Sequence, residues 1–144
     1  MLKKTVTYED FDGNIRTEDL YFFISKTELT EMELSTPGGF ARKLERISTE
    51  ADGGEIMKVF KDIILMAYGE KSEDGRVFIK KRNGVRLADE FEQTQAFDTL
   101  YTELLLDPEK ASAFINGIMP KDLMEEANKL NAQAKTSELP SGNN

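Results

Sequence analysis

Histidine and cysteine are both missing from this 144-residue sequence. The lack of cysteine excludes disulfides, thiolate nucleophiles and thiolate metal sites. The lack of histidine removes the commonest general base and the commonest zinc ligand. Metal chemistry is thereby narrowed to oxygen ligation by carboxylates. No apolar run approaches the ~18 residues of a membrane-crossing helix, so no membrane partner is expected. Lys3 and Lys4 are followed by Thr5, Val6 and Thr7 rather than by an apolar stretch. That pattern predicts no signal peptide and a cytosolic location. Positive charge is scarce too: 19 basic residues stand against 27 acidic ones, a net −8. Phosphate binding needs a basic surface, so a nucleic-acid partner is not expected.

What is present suits one domain. Hydrophobic residues make up 39% and charged residues 32%, which suits a modest core under a well-solvated exterior. The chain opens as a β-hairpin. Thr5-Val6-Thr7-Tyr8 alternates polar and apolar, Asp12-Gly13-Asn14 signals a turn, and Leu20-Tyr21-Phe22-Phe23-Ile24 forms a second strand that is apolar on both faces. Ser25-Lys26-Thr27-Glu28 reads as a capping box that starts a short helix to about Leu34, broken by Pro37-Gly38-Gly39. Phe40, Leu44 and Ile47 recur at helical spacing up to Asp52-Gly53-Gly54. From about Glu55 to Tyr68, Ile56, Val59, Phe60, Ile63, Ile64 and Ala67 line one helical stripe, widened by Met57, Leu65 and Met66. Gly69 is the expected C-cap of that helix.

Turns at Ser72-Glu73-Asp74-Gly75 and Asn83-Gly84 flank a strand-like Arg76-Val77-Phe78-Ile79, a small second hairpin or arm with Val85 on its return. One helix is predicted from about Leu87 to Leu106, with Phe91, Phe97, Leu100, Tyr101, Leu104 and Leu105 along a side. Asp107-Pro108 starts another, with an N-cap acid and proline at the first helical position. Its stripe is Ala111, Phe114, Ile115 and Ile118, and Met119-Pro120 ends it. Leu123, Ala127, Leu130 and Ala134 trace a narrow stripe on a last, mostly polar helix. The expectation is an α+β fold, a mostly helical single domain over 1–134 with two hairpins. Residues 135–144, rich in Ser, Pro, Gly and Asn, are the expected flexible tail.

Catalytic and metal readings find little support. Asp10, Asp12 and Asn14 match the first ligand positions of an EF-hand loop, but the glycine comes too early and Tyr21 stands where the closing Glu belongs. A hairpin turn accounts for them better. Pro37-Gly38-Gly39 lacks the lysine and hydroxyl of a phosphate-cradling loop. Glu90, Glu92, Asp98 and Glu103 lie among polar helical positions rather than in a cleft that would separate their pKa values. Ser72 and Ser112 have no histidine partner and no suggestively placed lysine, so a nucleophile reading is weak. No cofactor, metal or catalytic residue is expected, and the sequence does not read as an enzyme. Arg42, Lys43 and Arg46, and separately Lys80-Lys81-Arg82, either balance charge on the surface or dock an acidic partner segment.

The stretch from Ala67 to Pro120 carries a further signal. It contains Ala67-Tyr68-Gly69, the acidic turn Glu73-Asp74-Gly75, Phe91-Glu92-Gln93-Thr94-Gln95-Ala96-Phe97, Leu100-Tyr101-Thr102-Glu103-Leu104-Leu105 and Phe114-Ile115-Asn116-Gly117-Ile118-Met119-Pro120. In this order and combination the elements resemble the tail assembly chaperones of long-tailed bacteriophages, and the likeness extends over roughly Lys4 to Leu130. The resemblance implies a non-enzymatic late protein. It would coat the aggregation-prone tape measure protein in the host bacterial cytoplasm, help recruit tail tube subunits, and be absent from the mature virion. It further implies a short form accompanied by a frameshifted long form, with homo-oligomer formation left open. A structural minor tail or tail-completion protein of the virion is the alternative. A holdase for a helical client needs apolar helix faces with a charged rim. Met57, Met66, Phe97, Tyr101 and Phe114 are the residues expected to meet the client.

Overall fold

A computed structural model describes residues 1–43 and 53–120. Strand β1 (Leu2–Glu9) runs antiparallel to β2 (Ile15–Phe22), in register from Leu2 opposite Phe22 to Glu9 opposite Ile15. The turn between them is built on Asp10. One oxygen of its carboxylate accepts from the amides of Asp12 and Asn14, each at 2.9 Å, and the other from Arg16 Nε at 2.6 Å. The apparent calcium loop is thus an Asx-type turn whose leading carboxylate is already occupied. β2 pairs with β3 (Tyr68–Lys71) at Tyr21 opposite Gly69 and Phe22 opposite Tyr68. β3 in turn pairs with β4 (Phe78–Ile79), giving a four-stranded antiparallel sheet in the order β1-β2-β3-β4.

The helices cover one face of this sheet. Helix α1 (Lys26–Ser35) starts at the predicted capping box, with Ser25 Oγ accepting from the Glu28 amide and Glu28 accepting from the Ser25 amide. Gly38 and Gly39 take positive φ in the break that follows. Helix α2 is described over 40–43 and brings Phe40 into the core. Helix α3 (Gly53–Ala67) buries Val59, Ile63, Ile64 and Ala67 as its stripe predicts. Gly53 and Gly54 form its first turn rather than a break. Leu44, Ile47, Asp52, the 123–134 stripe and the 135–144 tail lie outside the described residues.

Two expectations are corrected. Tyr68 does not end α3 and Gly69 does not cap it; both belong to β3. The chain passes straight from helix to strand, and the Phe23 amide donates to the Ala67 carbonyl at 2.8 Å, the kind of partner a cap would otherwise supply. Gly69 is required there for another reason. A Cβ at this position would collide with the Phe78 ring and lie 2.7 Å from the Ile79 carbonyl oxygen. The predicted single helix over 87–106 is two, α4 (Leu87–Phe91) and α5 (Gln95–Leu106). Thr94 separates them: its backbone is extended and its hydroxyl accepts from the Phe97 amide at 3.1 Å as an N-cap. Before them, β5 (Lys81–Arg82) and β6 (Val85–Arg86) form the small mid-chain hairpin. Its turn has both Asn83 and Gly84 at positive φ, the geometry that matches strand twist. Helix α6 (Pro108–Ile118) starts as predicted, with Asp107 accepting from the Glu109 and Lys110 amides and proline in its first turn.

Rings dominate the core. Phe22 is fully buried and meets Phe114, Tyr68 and Phe91 edge-on, with centroids 5.0, 5.8 and 6.0 Å away. Tyr68 and Phe91 stack in parallel at 3.9 Å. Each large ring removes far more apolar area from water than an aliphatic side chain, and edge-to-face pairs add about 0.5–1.5 kcal/mol each. One strand residue, Phe22, thereby ties the hairpin to β3, α4 and α6 at once.

Candidate functional site

The expected client-binding residues fall at different depths. Phe114 is 2% exposed, Phe97 is 7% exposed, and both sit in the core. Met57 is 45% exposed. Tyr101 and Met66 are half-buried. Met57 and Met66 are nine positions apart on α3, half a turn out of phase at 3.6 residues per turn, so they face opposite sides. Met66 belongs to the side where its carbonyl accepts from Lys80 Nζ at 2.8 Å.

Met57, Tyr101 and Phe97 do come together. The Tyr101 hydroxyl donates to the Met57 carbonyl oxygen at 2.9 Å, which joins α5 to α3. The Tyr101 ring lies nearly parallel to Phe97, with centroids 5.4 Å apart, and Phe97 meets Phe91 edge-on at 5.5 Å. Burial, more than nearby charge, raises the Tyr101 hydroxyl above its ordinary pKa. Beside them Lys61 Nζ pairs with Glu92 at 2.8 Å, and that hydrogen bond raises the lysine above its usual range. The arrangement is a thioether and a ring edge at the surface, an aromatic stack beneath, and an ion pair at the rim. Its chemistry suits contact with an apolar side chain.

Of the four carboxylates Glu90, Glu92, Asp98 and Glu103, Glu92 pairs with Lys61 at the surface and Glu103 with Lys110 at 2.9 Å. Among the described residues, no three carboxylates gather as a metal site. No described helix is long and apolar enough to cross a membrane. Phe11, for which core is the default over interface by residue type, instead stands 78% exposed at the hairpin end beside Ile15 at 71%, and Leu34 and Leu106 are exposed on the outer helix faces. The signal for Phe11 was present: a phenylalanine between two turn-forming aspartates has little core to reach.

A family model described as phage tail assembly chaperone matches residues 1–143. The chain belongs to the phage tail assembly chaperone family. No curated protein and no solved structure matches it. Membership makes proteins of tail assembly the partners of this chaperone. A partly apolar face with a paired-charge rim suits that work.

Proposed function

We propose that this chaperone binds the tape measure protein of its phage, keeps it from aggregating, and helps recruit tail tube subunits, without performing catalysis. The observation that carries the reading is the α3–α5 seam, where Met57 and Tyr101 meet at the surface above buried Phe97. Methionine adapts its shape to varied apolar partners, as a sleeve for a long helical client requires. Tyr101 adds a rigid amphipathic ring of the kind enriched at interfaces. In this reading Phe97 shapes the face from below, Phe114 serves it only by holding the core through Phe22 and Phe60, and Met66 belongs to a second contact on the other side of α3. The protein acts in the host cytoplasm, is joined there by a frameshifted long form, and leaves before the virion is complete.

Co-expression with the tape measure protein of the same phage tests the proposal. The client is expected to become soluble and to co-purify with the chaperone. Client that stays in the pellet beside folded, abundant chaperone overturns the reading. Mass spectrometry of purified virions tests the departure from the particle, where no peptide of this chain is expected.

A further inference from the structure

Among the described residues, the sheet leaves one edge of β2 open. Only Tyr21 and Phe22 of this eight-residue strand pair with β3. Past Gly69, β3 turns away and pairs with β4 through Glu70 and Lys71. Hydrogen-bonding directions alternate along an antiparallel strand. The bond from Asp10 N to Asn14 O at 2.8 Å sets the phase, so even-numbered residues of β2 bond to β1 and odd-numbered ones face away. Phe23 N, odd and donating to Ala67 O at 2.8 Å, agrees with that phase. Ile15, Thr17 and Asp19 therefore turn their N–H and C=O groups outward, and these groups have no partner among the described residues.

Beside this edge lies a groove of about 420 Å³ lined by Glu18, Asp19, Tyr21, Tyr68 and Glu70, among others. Its charge is mainly negative, with Lys71 the single lining cation. By the two-residue period of strands, Glu18 and Glu70 flank the helix side of the edge and Asp19 the opposite side. Burial is the main cause that lifts the Tyr68 hydroxyl to about 12, and the charges of Glu70, Glu18 and Glu90 push it the same way. Glu70 already holds Arg82 at 2.7 Å, so a guanidinium fits against this wall.

We propose that the open edge of β2 docks an extended basic segment of a partner protein, which adds as a strand beside residues 15–19. Backbone bonds to Ile15, Thr17 and Asp19 would give affinity, and lysine or arginine side chains facing Glu18, Glu70 and Asp19 would give selectivity. Exposed Ile15 offers an apolar anchor at the strand's start. A second copy of this chain, itself at −8, is the poorer occupant. The site is separate from the α3–α5 seam and stands whether or not the tape measure binds there.

The test uses the full chain and a synthetic peptide of alternating lysine and valine, about eight residues long. Saturable binding is expected, with amide shifts at Ile15, Thr17 and Asp19. Thr17→Pro removes an outward N–H and leaves the ladder to β1 intact, so it should weaken binding at least about tenfold. The double variant Glu18→Lys/Glu70→Lys should do likewise. Should Thr17→Pro fail to fold, the charge-reversed chain decides alone, and unchanged affinity there overturns the proposal. Equal binding of the same peptide fully N-methylated overturns it, since charge alone would then suffice. Shifts confined to another surface overturn it as well. So does an oligomer of the unliganded chain that Thr17→Pro dissolves, because a second copy would then own the edge. A chain that binds the peptide yet leaves the tape measure insoluble keeps this site and loses the proposed client.

Discussion

Two residues show how single atoms hold the elements in place. Gly69 lets β3 and β4 approach, and any side chain there meets the Phe78 ring and the Ile79 carbonyl. Gly69→Ala is expected to destabilise the fold by about 1–3 kcal/mol, as overpacking does, read as a lower urea midpoint at unchanged m-value. Lys80 gathers three acceptors: both Glu28 oxygens at 2.9 and 2.7 Å and the Met66 carbonyl at 2.8 Å near the end of α3. Burial, the largest influence on Lys80, holds its ammonium below the ordinary lysine range despite the carboxylate beside it. Partial burial pushes the Glu28 carboxyl up, but the bonds from Lys80 and the Ser25 amide outweigh it and leave Glu28 below its ordinary 4.5. The unfolded chain therefore binds this proton more tightly than the folded one. The stability contributed by Glu28 is complete above the ordinary carboxylate pKa and is lost as pH falls through the depressed folded value. Denaturation midpoints followed from neutral to acid should fall further for the wild type than for Glu28→Gln. Equal acid losses would remove Glu28 from the account.

Among elements, the link between α4 and α5 is the most informative. Apolar residues at 91, 97, 100, 101, 104 and 105 suit a continuous helix well enough to hide the break. The break is carried by one hydroxyl: Thr94 accepts from the Phe97 amide and donates to the Phe91 carbonyl at 2.7 Å. It resets the helical phase so that Phe91 and Phe97 both reach the core, edge-on to each other. Thr94→Ala is expected to cost about 1 kcal/mol in thermal or urea unfolding, the usual loss for an N-cap. Signals of this local kind were readable wherever no competing signal masked them. The Ser25 capping box, the Asp107-Pro108 start, the Asn83-Gly84 turn and the α3 stripe all appear where the sequence puts them. The pairing of β3 with both β2 and β4 was not readable, because Tyr68–Lys71 has a helix ahead of it and no alternation of its own. Only Phe22 and Phe78, distant in sequence, reveal it. The candidate face was legible in part for the same reason. Aromatic and methionine positions name the helices involved, but depth depends on tertiary packing, which put Phe97 and Phe114 inside and left Met57 out.

For the whole molecule, the proposed reading puts stability and client binding on different atoms, and that separation can be measured. Phe114 packs against Phe22 at 5.0 Å and Phe60 at 6.4 Å. Phe114→Ala should lower stability by about 3–5 kcal/mol, the range for a buried ring, and should reduce client capture only as far as it unfolds the chain. Met57 is the opposite case. An aspartate there sits near the N-terminus of α3, where negative charge is favourable, and one turn before Lys61. Met57→Asp is therefore expected to keep the melting temperature close to that of the wild type while replacing the exposed apolar side chain near Tyr101 with a charge. Capture of the tape measure protein should fall about tenfold or more, read as client co-purified per folded chaperone. If Met57→Asp captures as much client as the wild type at equal folded concentration, the client does not sit on the α3–α5 seam. The exposed side chains at the hairpin end, Phe11 and Ile15, then become the next face to substitute.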